Sequence, residues 1–241
     1  DAIKNVDAID PAAVPADTSV SSPLLHAEEA VGKPIASAIG YAYTYDSKIG
    51  GLNPTSRVLL RFSQDFAGLG GDVKYIKTKA LALAEPKVLQ EEVTLRAVFE
   101  GGVVASMGGY NTRVTDRFFG NSEIRGFKPN GIGPRDLSVT NKDALGGNIF
   151  AVARFEADFP LGLPEEYGIT GGVFLDVGSV WGLDDNLGNT IDDSMKIRST
   201  VGFGLDWTTP IGPLRFNFTK ALRKESYDQD QSFDLTISTK F

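Results

Sequence analysis

Cysteine is absent from the 241 residues, which removes disulfide frameworks, thiolate metal sites and cysteine nucleophiles from consideration. Histidine occurs once, as His26, so neither a Ser-His-Asp arrangement nor a multi-histidine metal centre can be assembled. It falls in a predicted short helix outside the strands and reads as a surface residue. A basic excess is missing as well. The chain has 24 Lys and Arg against 31 Asp and Glu, a formal charge of -7, the wrong sign for a surface that tracks phosphates, so nucleic acid is not an expected partner. No run of about 18 apolar residues is present, which excludes a transmembrane helix but not a membrane barrel. The opening Asp1-Ala2-Ile3-Lys4 has no methionine, basic region or apolar core, so no signal peptide is read there. The expectation is that one was removed or that the chain is a piece of something longer.

What is present is alternation. Residues 1–35 are rich in Ala, Pro, Asp and Ser without a period of two, and 1–21 reads as irregular. One short helix follows: Ser22 can cap it, Pro23 fits its first position, Leu24, Ala27 and Val31 share a face, and Gly32 ends it before Pro34. From about residue 36 large apolar residues take every second place. Tyr41, Tyr43 and Tyr45 alternate with small or polar residues; Val58, Leu60 and Phe62 oppose Arg57, Arg61 and Ser63; Leu95, Ala97 and Phe99 oppose Thr94, Arg96 and Glu100. Phe155 and Phe159 oppose Arg154, Glu156 and Asp158, and Val201, Phe203, Leu205 and Trp207 oppose Gly202, Gly204 and Asp206. Leu214, Phe216 and Phe218 oppose Arg215, Asn217 and Thr219, and Phe233, Leu235, Ile237 and Phe241 oppose Asp234, Ser238 and Lys240. With less regular segments near 72–84 and 168–181, nine strands are expected.

Several strands reach the 9 to 11 residues or so that cross a bilayer at a tilt, and their second face carries charges that a barrel lumen tolerates. The fold class expected is therefore all-β, an antiparallel transmembrane β-barrel. A soluble sandwich with one wet face is the competing architecture. Tyr41, Tyr43, Tyr45, Trp207 and Phe216 point outward, either into an aromatic girdle or into acyl chains. Connections near 48–54, 85–89, 160–167 and 210–213 are short and contain proline, whereas 107–146 and 182–195 on the other side are long, as in outer-membrane barrels. The segment Asp116–Asp136 is the most unusual of these. It sets Arg125-Gly126-Phe127 in a glycine-rich loop that carries aromatics and four guanidinium or ammonium groups, Arg117, Arg125, Lys128 and Arg135, and is suited to folding inward and docking.

Four segments carry a resemblance to a known family. They are Arg117-Phe118-Phe119-Gly120 leading to Ile124-Arg125-Gly126-Phe127 and Gly131-Ile132-Gly133-Pro134-Arg135; Asp143-Ala144-Leu145-Gly146-Gly147; Gly172 to Trp181; and Gly202 to Trp207 running into Pro210-Ile211-Gly212-Pro213-Leu214-Arg215-Phe216. Together they resemble the BamA-type outer-membrane insertases over most of 36–241. The resemblance implies the last nine strands of a sixteen-stranded barrel, with 1–35 as an extracellular loop and 107–146 as an inward-folding loop. It implies that Arg125 pairs with acidic and aromatic residues on the two following strands, where alternation puts Glu156, Phe174 and Asp176 on the lumen face. Gly126 would permit the tight turn beside Phe127. Arg125 could stiffen the barrel or act directly on substrate. The terminal strand, Phe233, Leu235, Ile237 and Phe241, resembles the β-signal of outer-membrane proteins and one side of a lateral gate. Because family members pair first strand with last, this chain alone should not close that seam.

The function implied is insertion and folding of β-barrel proteins in the outer membrane of a Gram-negative bacterium. The partners implied are nascent outer-membrane proteins, accessory outer-membrane lipoproteins, lipid and lipopolysaccharide. A polypeptide-secretion pore of the same superfamily, or a passive porin, would be the alternatives. No cofactor, metal or enzymatic activity is expected. The carboxylates Glu156, Asp158 and Asp176 lack a substrate platform, and the glycine-rich segment Gly120–Gly133 lies between strands rather than opening a helix.

Overall fold

A computed structural model describes residues 20–47, 56–120, 123–209 and 212–237. A short helix, α1 (Pro23–Val31), precedes nine strands: β1 (Ala38–Asp46), β2 (Ser56–Ala67), β3 (Tyr75–Val88), β4 (Val93–Ser106), β5 (Ile149–Pro160), β6 (Ile169–Trp181), β7 (Arg198–Thr209), β8 (Gly212–Arg223) and β9 (Phe233–Ile237). They form one antiparallel sheet in the order of the chain, β1 to β9, with β1 and β9 at its edges.

The period of two sets which way each side chain faces, and the register carries that choice from strand to strand. Tyr43 stands opposite Phe62, Phe62 opposite Ala80, Ala82 opposite Phe99, Ala97 opposite Phe155, Phe155 opposite Leu175, and Val201 opposite Lys220. These residues make one outer surface on which Tyr43, Phe99, Leu175, Trp207 and Phe218 are all exposed. A continuous aromatic and aliphatic surface of this extent is what a lipid-facing wall presents. The other parity, Glu100, Glu156, Asp176 and Arg215 among it, faces the concave side.

Connections on one end are short (89–92 and 161–168), and those on the other include 107–148 and 182–197. Pro86, expected in a connection, is instead part of β3 opposite Ser56. The turn falls at 89–92, where Leu89, Gln90 and Glu91 all adopt positive φ. Pro160 and Pro213 likewise lie inside strand ends. Proline lacks a donor, but at the ends of the ladder the missing bond costs little.

The core is not between two layers of secondary structure. It lies between the sheet and its own longest connection: Phe118, Ile124, Phe127 and Ile132 from 107–148 pack on Val104, Phe150, Val152 and Val180 of β4, β5 and β6. Phe118 and Phe150 meet at 4.7 Å. Each such side chain taken out of water contributes roughly 1.5–3 kcal/mol, which holds the loop against the wall. Helix α1 sits on the same loop. Ser22 does not cap α1 through its side chain; its hydroxyl donates to Asp136 at 2.6 Å, and its amide donates to Asp143 at 2.7 Å. Glu28 accepts from Arg113 at 2.7 Å. Because α1 is pressed onto the loop, His26 is half-buried rather than on the surface.

Candidate functional site

Gly126 has φ of +86°, and a Cβ built there would come within 2.3 Å of Thr219 on β8. A bare, left-handed residue is therefore required where the loop turns against the wall. That turn presents Arg125 to β5 and β6. Its backbone amide donates to Asp176 at 3.0 Å, its Nε to the same oxygen at 2.8 Å and its Nη2 to the second oxygen at 2.7 Å, while Nη1 donates to Glu156 at 2.5 Å. The guanidinium carbon lies 3.6 Å from the centre of the Phe174 ring. Planar stacking and a two-pronged carboxylate bond together suit arginine and not lysine. Asp176 is fully buried, so its charge depends on this partner. Burial opposes the Arg125 charge, but the hydrogen bonds and charge of Asp176, then those of Glu156, outweigh it and raise its pKa above that of an ordinary guanidinium.

All four residues singled out from the sequence around Arg125 thus meet at one point, and Phe127 packs beside them in the core. The room they occupy comes from β7. A Cβ on Gly202 would lie 2.3 Å from the Phe174 ring, and one on Gly204 would lie 2.8 Å from Nη2 of Arg215. The glycines opposing Val201 and Phe203 therefore act as clearance for side chains reaching across the strand.

Three further arginines extend the site beyond the expected set. Arg96 donates to Glu156 at 2.9 Å and to Glu85 at 2.9 Å, and Arg154 donates to Glu100 at 2.8 Å and Glu123 at 3.1 Å. Arg215 on β8 places Nη2 at 2.8 Å from Glu156 and Nη1 at 3.3 Å from Asp206. Glu156, with its side chain 6% exposed, is shared by Arg96, Arg125 and Arg215. The lumen parity of Arg96, Arg154 and Arg215 was readable from alternation; their choice of partner was not, because it depends on curvature across several strands.

Backbone bonds also tie the loop to the connection between β8 and β9. Lys128 donates to Gln229, Gln229 to Gly131 and Gln231 to Gly126, each at 2.9 Å. That connection is fixed in turn by a buried pair, Arg198 to Asp228 at 2.9 Å. Phe233 and Leu235 of β9 face outward and are exposed; the backbone of Ile237 ends the strand, and Phe241 lies outside the described residues. Among the described residues no group of His, Asp and Glu could hold a metal ion.

Residues 4–241 match the Omp85 superfamily domain. The chain belongs to that superfamily. Among relatives of this Omp85 chain, the outer membrane protein assembly factor BamA of Neorickettsia risticii (strain Illinois) is 34% identical over 214 residues, covering 89% of the chain and 28% of the relative. The human sorting and assembly machinery component 50 homolog is 33% identical over 122 residues, covering 49% and 25% respectively. The chain spans less than a third of the length of either. Among solved structures, that of BamA from Haemophilus ducreyi lacking POTRA domains 1–3 superposes with a TM-score of 0.70 at 22% identity, over 85% of this chain and 42% of that one. The nine-stranded open sheet therefore has the fold of part of the Omp85 barrel.

Proposed function

We propose that this chain is part of an outer-membrane factor that folds and inserts β-barrel proteins, acting through an edge strand to which a client strand can add. The observation that carries the reading is the docked loop. Arg125 is held by Asp176 and Glu156, and the same loop is hydrogen-bonded to the connection that leads into edge strand β9. An edge strand offers unpaired backbone groups to an incoming strand, and in lipid each unpaired group costs several kcal/mol, which drives pairing. Strand addition needs neither nucleotide nor covalent chemistry, so the chain is read as a non-enzyme. Kinship with a bacterial outer membrane protein assembly factor and a human sorting and assembly machinery component supports assembly over a passive pore.

The location that goes with this reading is the outer membrane of a Gram-negative bacterium. Its partners there would be nascent outer-membrane proteins, lipid and lipopolysaccharide, together with accessory lipoproteins. The test is depletion of the gene followed by quantification of every outer-membrane barrel protein. A general assembly factor lowers nearly all of them. A loss confined to one or two secreted polypeptides assigns the chain to a secretion pore. An unchanged inventory with steady ion conductance from the purified protein assigns it to a porin.

A further inference from the structure

Among the described residues Arg215 makes no hydrogen bond or ion pair with the loop, yet it reaches the same carboxylate that holds the loop tip. Glu156 lies between Arg125 Nη1, at 2.5 Å, and Arg215 Nη2, at 2.8 Å. Arg215 in turn sits opposite Thr236 of β9 in the register of the terminal hairpin, and on its other side Gly204 of β7 leaves room for the guanidinium to reach toward Glu156. A second connection runs by a separate route. Residues 126–131 of the loop exchange three backbone bonds with Gln229 and Gln231, immediately before β9 begins. By contrast Arg154, on the same concave face, pairs with Glu100 and Glu123 and has no ion pair with β8 or β9 among the described residues.

We propose that Arg215 is a positioning residue which, with the backbone clasp between 126–131 and 229–231, couples docking of the Arg125 loop to pairing of the terminal strand β9. Undocking Arg125 leaves Glu156 free to draw Arg215 inward and releases the clasp, so the β8–β9 ladder weakens. Conversely, separation of β9 withdraws Gln229 and Gln231 and loosens the loop. Such a coupling is reciprocal by necessity. The inference deepens the assembly reading and rests on it for its biological meaning, but the coupling itself concerns only this chain's own residues.

The experiment is amide hydrogen exchange on the full-length protein in lipid nanodiscs, without client. Arg215→Gln and, as a milder change, Gly204→Ala, which displaces the Arg215 guanidinium without deleting it, should speed exchange in both 124–131 and 233–237. The expected factor is about 5-fold or more, the low end of ordinary coupling. Gln231→Pro, which deletes one clasp donor and no charge, should do the same. Leu235→Pro, on the lipid-facing side of β9, should in turn raise exchange in 124–131 although it touches no loop residue. Arg154→Gln serves as the control for general loosening and should leave 233–237 unchanged. If Arg215→Gln and Gly204→Ala leave the loop as protected as before, or if Leu235→Pro opens β9 alone, the coupling is refuted. Because no client is present, that result leaves the depletion experiment to decide the assembly reading on its own.

Discussion

Strands β1 and β6 are built on the same alternating rule but end in opposite environments. In β6 the concave-facing Gly172, Phe174, Asp176, Gly178 and Val180 are all buried, while Val173 and Leu175 remain exposed. In β1 nearly every residue is exposed on both faces. Alternation therefore decides which side chains face outward, and what covers the inner face decides whether the inner side chains are buried. For β6 the cover is the 107–148 loop. The charge pairs differ accordingly: Arg125 and Asp176 meet at 2.7 Å with Asp176 fully buried, whereas Arg57 and Asp46 meet at 2.6 Å with the arginine 28% exposed. Nearly equal distances in unequal dielectric surroundings should give unequal energies.

The largest effect expected is from Asp176→Ala, which leaves the half-buried Arg125 without its main partner and should cost about 3–5 kcal/mol. It would be read as a lower temperature at which the folded form is lost in heat-modifiability gels. Arg57→Gln at the other end of the sheet should cost no more than about 1 kcal/mol. Similar losses from the two variants would erase the distinction drawn between the strands.

A double-mutant cycle sharpens the same contrast. Arg125→Ala and Asp176→Ala together should deviate from additivity by about 0.5–3 kcal/mol, while Arg125→Ala combined with Arg57→Gln should add to within about 0.5 kcal/mol. Next in size is Gly126→Ala, which imposes positive φ on a residue with a Cβ and drives that atom into Thr219. We expect a loss of about 1–3 kcal/mol. Gly40→Ala in β1 should cost less, since the nearest atom is the movable carboxylate of Asp65.

The smallest expected effect depends on pH. Burial pushes the Asp116 carboxyl pKa up, and one of its oxygens is buried without a partner among the described residues. The neutral form is the one the fold favours, so its contribution to stability is complete below the unfolded pKa and is lost as pH rises through the raised folded value. Asp116→Asn should therefore raise the melting temperature slightly at neutral pH and leave it unchanged at about pH 3, where the carboxyl is protonated in both states. A gain of equal size at both pH values would show that the effect is not one of ionisation.

Nine strands and the parity of most of them were legible in the residues because a period of two is a local property: each side chain's face follows from its own position. Arg125, Glu156, Phe174 and Asp176 were legible as a group by parity together with family resemblance. Pro86 was misplaced because proline marks both turns and strand ends, and only the ladder distinguishes them. Ser22 looked like a cap because its spacing from the helix is right, but an Asp from more than a hundred residues away takes its hydroxyl instead. Alternation in the residues alone set which side chains of most strands point to the outer face. Only the tertiary structure decided that Glu156 would serve three arginines from β4, the loop and β8, because that sharing depends on how the sheet curves and on which side chains reach across the bare glycines of β7, and neither follows from the spacing of any one strand.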